Sequence, residues 1–135
     1  MNLVKVEQAR DVTDPTMRER VKQGQSPRTE EFVVVVNGQE AGLLILESTT
    51  SDLTGVVYEI YVLEPFRRAG VGQHLLSHAE TLGREKGWNV IRLMPRSLDR
   101  DQISDQVLKT WYYRNGFRPD PTNSSWMQKN LGLRM

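Results

Sequence analysis

The run FVVVVNGQEAGLLILES, Phe32 to Ser48, restricts the fold more than any other part of the chain. Asn37-Gly38 stands between two aliphatic stretches. That pair is the strongest short signal for a tight hairpin, because both central residues of the favoured turn need positive φ. Phe32 to Val36 and Ala41 to Leu46 are apolar on successive residues rather than on alternate ones. A sheet built from such strands must be covered on both faces. The chain therefore needs helices on either side of a sheet.

The flanking sequence supplies them. Leu3 to Ala9 begins with the alternation of a half-buried strand. Asp14 is placed to cap a short helix, with Pro15 in its first turn and Met17 and Val21 on one face. Gly24 to Glu30 reads as a loop, and so does Thr49 to Leu53. GVVYEIYVLEP, Gly55 to Pro65, is rich in β-branched and aromatic residues and predicts a strand. Val71, Leu75, Leu76, Ala79 and Leu82 recur at helical spacing, with a stop at Lys86-Gly87. Asn89 to Pro95 predicts a strand, and Asp105 to Gly116 a helix capped by Ser104 or Asp105. Phe117 onward reads as a broken strand, a polar turn at Thr122 to Ser125, and a last strand. The predicted order is β-α-β-β-β-α-β-α-β-β, a mixed α/β sheet in one domain over residues 1–135.

Composition removes several classes of function. Eighteen basic against 17 acidic residues leave a net charge of +1, which argues against a nucleic-acid binder. No run of about 18 apolar residues offers a membrane span, and the first residues lack the apolar core of a signal peptide. With no cysteine there is no disulfide, thiolate nucleophile or Cys-ligated zinc. A cytoplasmic protein is the expectation. His74 and His78 are four apart, as metal ligands can be, but they fall opposite Leu75, Leu76 and Ala79 with no third ligand nearby. A solvated helix face accounts for them, and no metal site is predicted.

The chemistry-bearing stretch is Arg67-Arg68-Ala69-Gly70-Val71-Gly72, between a strand and a helix. A helix N-terminus offers unpaired N–H groups and partial positive charge. Glycines there let backbone amides close on an anion, and arginine adds fork geometry suited to phosphate oxygens. The plain alternative is a glycine turn with two solvated arginines. The stretch lacks the Gly-Lys-Ser/Thr of a P-loop, and Leu75 stands where a dinucleotide fingerprint needs its third glycine.

Arg67-x-x-Gly70-x-Gly72, after the YVLEP strand end, resembles the acyl-CoA pyrophosphate loop of the GNAT N-acetyltransferase superfamily. WYYRNGF, Trp111 to Phe117, is similar to a second segment of that family. The predicted element order also follows the family's plan over nearly the whole chain. The resemblance implies a sheet splayed between its fourth and fifth strands, with acetyl-CoA as cosubstrate in the gap and no metal. It implies that the amides of Gly70, Val71, Gly72 and Gln73 hold the pyrophosphate, with Ala69, Arg68 and the motif's Arg67 alongside. Backbone groups near Tyr61, Val62 and Leu63 would pair with the pantetheine arm.

Tyr112 would be the general acid for the leaving thiolate, with Tyr113 the neighbouring alternative in register. For a base the sequence offers Glu59, on the strand before the loop, or Glu47 near the end of the hairpin. A primary amine of a small molecule or peptide is the implied acceptor. It would be met by Met17 to Arg28 and Asp120 to Trp126. Asp105 departs from the asparagine common in the family at that position. A non-catalytic module that binds CoA or a partner uses the same loop, and the fold's exposed last strands offer a route to a homodimer.

Overall fold

The computed structural model describes residues 1–51, 53–97 and 103–132. The hairpin forms as its turn chemistry requires. β2 (Thr29–Val36) and β3 (Gln39–Ser48) pair in antiparallel fashion from Val36↔Gln39, leaving Asn37 and Gly38 as a two-residue turn with φ of 51° and 78°. β1 (Asn2–Val6) joins the outer side of β2, and β4 (Thr54–Val62) the other side of β3. β5 (Val90–Leu93), β6 (Arg118–Asp120) and β7 (Asn123–Asn130) complete a seven-stranded sheet ordered β1-β2-β3-β4-β5-β7-β6. α1 (Pro15–Gly24), α2 (Val71–Glu85) and α3 (Asp105–Arg114) make the element order the expected one. No helix among the described residues is long and apolar enough to cross a membrane.

Several boundaries differ from the sequence reading: β1, β4 and β5 end at Val6, Val62 and Leu93, short of Ala9, Pro65 and Pro95, and pairing explains two further shifts. Thr29 and Glu30 belong to β2 rather than to a loop, because Glu47 and Leu46 ladder with them. β7 begins at Asn123, inside the expected polar turn, which contracts to Pro121-Thr122. The Asp120 carboxylate closes that turn by accepting from the Thr122 N–H and hydroxyl, both at 2.8 Å.

The continuous apolar strands feed two cores. Phe32, Val34, Leu44 and Leu46 meet Leu75, Leu76 and Ala79 of α2 and Tyr112 of α3. Val33, Leu43 and Ile45 point the other way, onto Met17 and Val21 of α1. α2 comes close to β3 because Gly42 lacks a side chain; a Cβ there would sit 3.0 Å from Val71 Cγ1 and Leu75 Cδ1. Each fully buried leucine stabilises the fold by about 1.5–3 kcal/mol relative to exposure.

Two irregularities in β4 create the functional geometry. Its parallel pairing with β5 spans only Thr54–Val57 against Val90–Leu93. β3 continues to pair with β4 as far as Val62, so beyond Val57 the β5 side of β4 is open. The second irregularity is a bulge. β3 neighbours Ile45 and Leu46 face Glu59 and Val57, which makes Tyr58 an extra residue. Val57 faces the α2 core, and strict alternation would put Glu59 there too. The bulge instead turns Glu59 toward α1.

Candidate active site

The gap opens into a cavity of about 950 Å³. Glu59, Tyr61, Val62, Arg67, Arg68, Gly70, Gly72, Gln73 and Tyr112 all line it. Leu63, Ala69 and Val71 do not; Val71 sits in the core and fixes the first turn of α2 from below. The cavity runs from the N-terminus of α2, through the splay, to the α1-facing side of the sheet, where Glu47, Tyr58 and Trp126 form its wall.

At the α2 end the backbone makes the site. Arg68 and Gly70 have φ of 68° and 80°, so the turn contains two left-handed residues. A Cβ on Gly70 would meet nothing within 4 Å, so φ rather than space calls for glycine there. Gly70 caps α2 without a side-chain bond, and the first helical bond runs from the His74 N–H to the Gly70 carbonyl at 3.0 Å. The Val71, Gly72 and Gln73 amides therefore point out of an uncapped helix start, suited to an anion. Arg67 clamps this turn to β4: its Nε donates to the Val62 carbonyl at 2.9 Å and its guanidinium lies 5.8 Å from the Tyr61 ring centre. The Gln73 side chain donates to Asn115 Oδ1 at 2.8 Å, tying α2 to the end of α3.

Along β4 the backbone alternates between its neighbours. The Leu63 N–H donates to the Ala41 carbonyl at 2.9 Å and its carbonyl accepts from the Phe66 N–H at 2.9 Å, while Tyr61, two residues earlier, turns its backbone groups to β3. Of the three residues expected to meet an extended ligand, Val62 is the one whose backbone faces the gap.

In the middle of the cavity stand a phenol and a carboxylate. Tyr112 is 6% exposed and packs edge-on against Trp111 and Phe117, with ring centres 4.9 and 5.5 Å away. Burial pushes its hydroxyl pKa well above the ordinary tyrosine value, so it stays protonated. Tyr113 is 53% exposed, lies under the Arg118 guanidinium at 3.8 Å, and is not part of the cavity wall. Burial also raises the Glu59 carboxyl, while Arg20 Nη1, 3.5 Å from its Oε2, pulls it back. Arg20 lies 4.2 Å over the Tyr61 ring as well.

Tyr58 is a residue that the sequence did not bring forward, while Arg20 and Trp126 fall within the segments expected to meet the acceptor without being singled out. Arg20 directly precedes the buried Val21 of α1, but nothing local tells that its partner is 39 residues away on β4. Glu47 lines the cavity and has no ion pair among the described residues. His74 and His78 meet edge-to-face outside the cavity, with ring centres 4.6 Å apart, and burial lowers the His74 pKa. No group of three metal-capable side chains occurs among the described residues. Ser104, not Asp105, caps α3, accepting from the Val107 N–H at 3.1 Å. Asp105 instead accepts from the Ser97 N–H at 2.8 Å and ties the segment after β5 to α3.

A family model described as an acetyltransferase (GNAT) domain matches residues 28–119. A search of curated proteins finds no match. Among solved structures, an acetyltransferase of the GNAT family from Staphylococcus aureus is similar over 97% of this chain and 99% of its own, with TM-score 0.70 and 13% identity. The ribosomal-protein-S18-alanine N-acetyltransferase from Escherichia coli matches over 99% and 96%, with TM-score 0.68 and 18% identity. An aminoglycoside 6'-N-acetyltransferase complexed with coenzyme A matches over 100% and 99%, with TM-score 0.68 and 12% identity. At these identities the likeness is one of fold.

Proposed function

Since the chain belongs to the GNAT acetyltransferase family, we propose that residues 1–135 act as one N-acetyltransferase domain, moving an acetyl group from acetyl-CoA to a primary amine. One observation carries this reading: a single cavity joins the uncapped start of α2, the open edge of β4, a buried phenol and a buried carboxylate. A structural neighbour solved with coenzyme A, and others named as aminoglycoside or ribosomal-protein-S18-alanine N-acetyltransferases, support an acyl-CoA donor and an amine acceptor.

The residues fit a CoA thioester. The Gly70–Gln73 amides and Arg68 suit its pyrophosphate, and the gap-facing N–H of Val62, whose carbonyl accepts from Arg67, suits an amide carbonyl of its arm. The thioester supplies an acyl carbon that an amine attacks directly, so no protein nucleophile is needed. As the C–N bond forms and the C–S bond breaks, Tyr112 donates a proton to the departing sulfur. Its raised pKa keeps that proton available through neutral and mildly alkaline pH. Glu59 takes the proton that the amine must lose, directly or through one water. Arg20 offsets part of the rise that burial gives the Glu59 carboxyl.

The reading is tested by free CoA release over a panel of amines, amino acids and peptides, in the parent protein and in Tyr112→Phe. It requires acetylated product and a large loss of rate in the variant. Acetyl-CoA binding without turnover on any amine leaves a binding module instead.

A further inference from the structure

We propose that the acceptor is a dication: an amine with a second positive charge, which Glu47 holds while the reacting nitrogen lies at Glu59. This rests on the acyl-transfer reading above and names its substrate class. The cavity walls carry two carboxylates on the α1-facing side of the sheet. Glu47 opposes Val56, and Glu59 opposes Ile45, so the two are diagonal neighbours across β3 and β4. In a regular ladder the backbones of such positions are about 7–8 Å apart, and both side chains line the one cavity, so two separate cationic groups of one ligand have a carboxylate each. The carboxylates differ in their partners. Glu59 already has Arg20, whereas Glu47 is half-buried with no ion pair among the described residues.

The surroundings favour a cation with an apolar body. Tyr58, the bulged residue, packs close to Gly24 of α1 and presents its ring to the cavity. Trp126 on β7 faces it from the same wall. Aromatic faces attract ammonium groups and cover methylenes. Arg20 and Arg92 on this side already have acidic partners, and Arg96 also lines the cavity. Arg92 stacks on Trp126 at 4.8 Å and is held by Asp120 at 2.6 Å. Arg67 and Arg68 belong to the α2 end, and Arg96 adjoins Ser97, which is bonded to the N-terminus of α3. Of the two cavity-lining carboxylates on this side, Glu47 is the one with no paired cation among the described residues. Transfer forms an amide bond at one nitrogen as the C–S bond breaks; the other nitrogen keeps its proton and its pairing with Glu47.

The test compares 1,4-diaminobutane and 1,5-diaminopentane with butylamine and pentylamine by CoA release, in the parent and in Glu47→Gln. Diamines should be preferred by roughly tenfold or more in kcat/KM, mainly through KM, and Glu47→Gln should bring the ratio close to one. Equal use of monoamines and diamines by the parent overturns the inference. So does a ratio that survives Glu47→Gln, or an equal loss on both amine types, which makes Glu47 the base. Calorimetry with the CoA-loaded protein separates this claim from the transfer reading. Diamine binding that needs Glu47, without turnover, sinks the transfer step and upholds the dication site. Absence of both binding and turnover overturns both.

Discussion

The two ends of the cavity are made of different material. At the α2 end the ligand-facing groups are backbone amides, fixed by two left-handed residues and an uncapped helix start. At the α1-facing end they are side chains, Glu47, Tyr58, Glu59 and Trp126, drawn from three strands. A backbone cradle recognises a shape and charge common to every CoA thioester. A wall of side chains is free to change with the acceptor, because no replacement there disturbs the turn. The Tyr58 bulge is where one end passes into the other, since it turns Glu59 from the α2 face to the α1 face.

Substitutions that act on one end alone sharpen that contrast. The largest effect belongs to the centre: Tyr112→Phe should lower kcat by about 100-fold or more while leaving the acetyl-CoA Kd nearly unchanged. Steady-state rates together with calorimetry check this. Because burial raises the Tyr112 pKa, the parent rate should also show no fall from this group up to about pH 9.

Glu59→Gln should cost about tenfold in kcat/KM and remove the acidic limb of its pH profile. In the parent, activity should rise with pH as Glu59 ionises, along a limb displaced upward from the ordinary glutamate value by burial. Arg20→Met leaves burial unopposed, so the limb should move to higher pH; a limb that stays put removes Arg20 from the account. Gly70→Ala should weaken acetyl-CoA binding by a few-fold and cost about 1 kcal/mol of stability, from φ alone. The smallest effect is expected for Tyr113→Phe, which lies outside the cavity and should behave as the parent in the same rate assay.

The same difference in material explains what the sequence could tell. Asn37-Gly38 and Gly70 are legible because positive φ restricts residue choice locally, and the structure uses both in that way. Helices and their order were legible from apolar spacing and from the Asp14 cap, whose carboxylate accepts from the Met17 N–H at 2.9 Å. Strand ends were not: Thr29–Glu31 and Asn123–Ser125 are polar segments that become strands only because a neighbour's ladder is waiting. The Arg20–Glu59 pair and the approach of Trp126 to Tyr58's side of the sheet join residues tens of positions apart. No local pattern encodes them. A bulge is equally silent, since YEIYV reads the same with or without an extra residue in its pairing.

The central claim is that the α2 end is a cradle for a CoA thioester, and calorimetric titration of the protein with acetyl-CoA tests it most directly. Saturable binding with one site per chain and a Kd below about 1 mM, competed by CoA and tighter than for ATP or NAD, is the predicted result. No binding up to that concentration, or a nucleotide that binds more tightly than CoA, contradicts it.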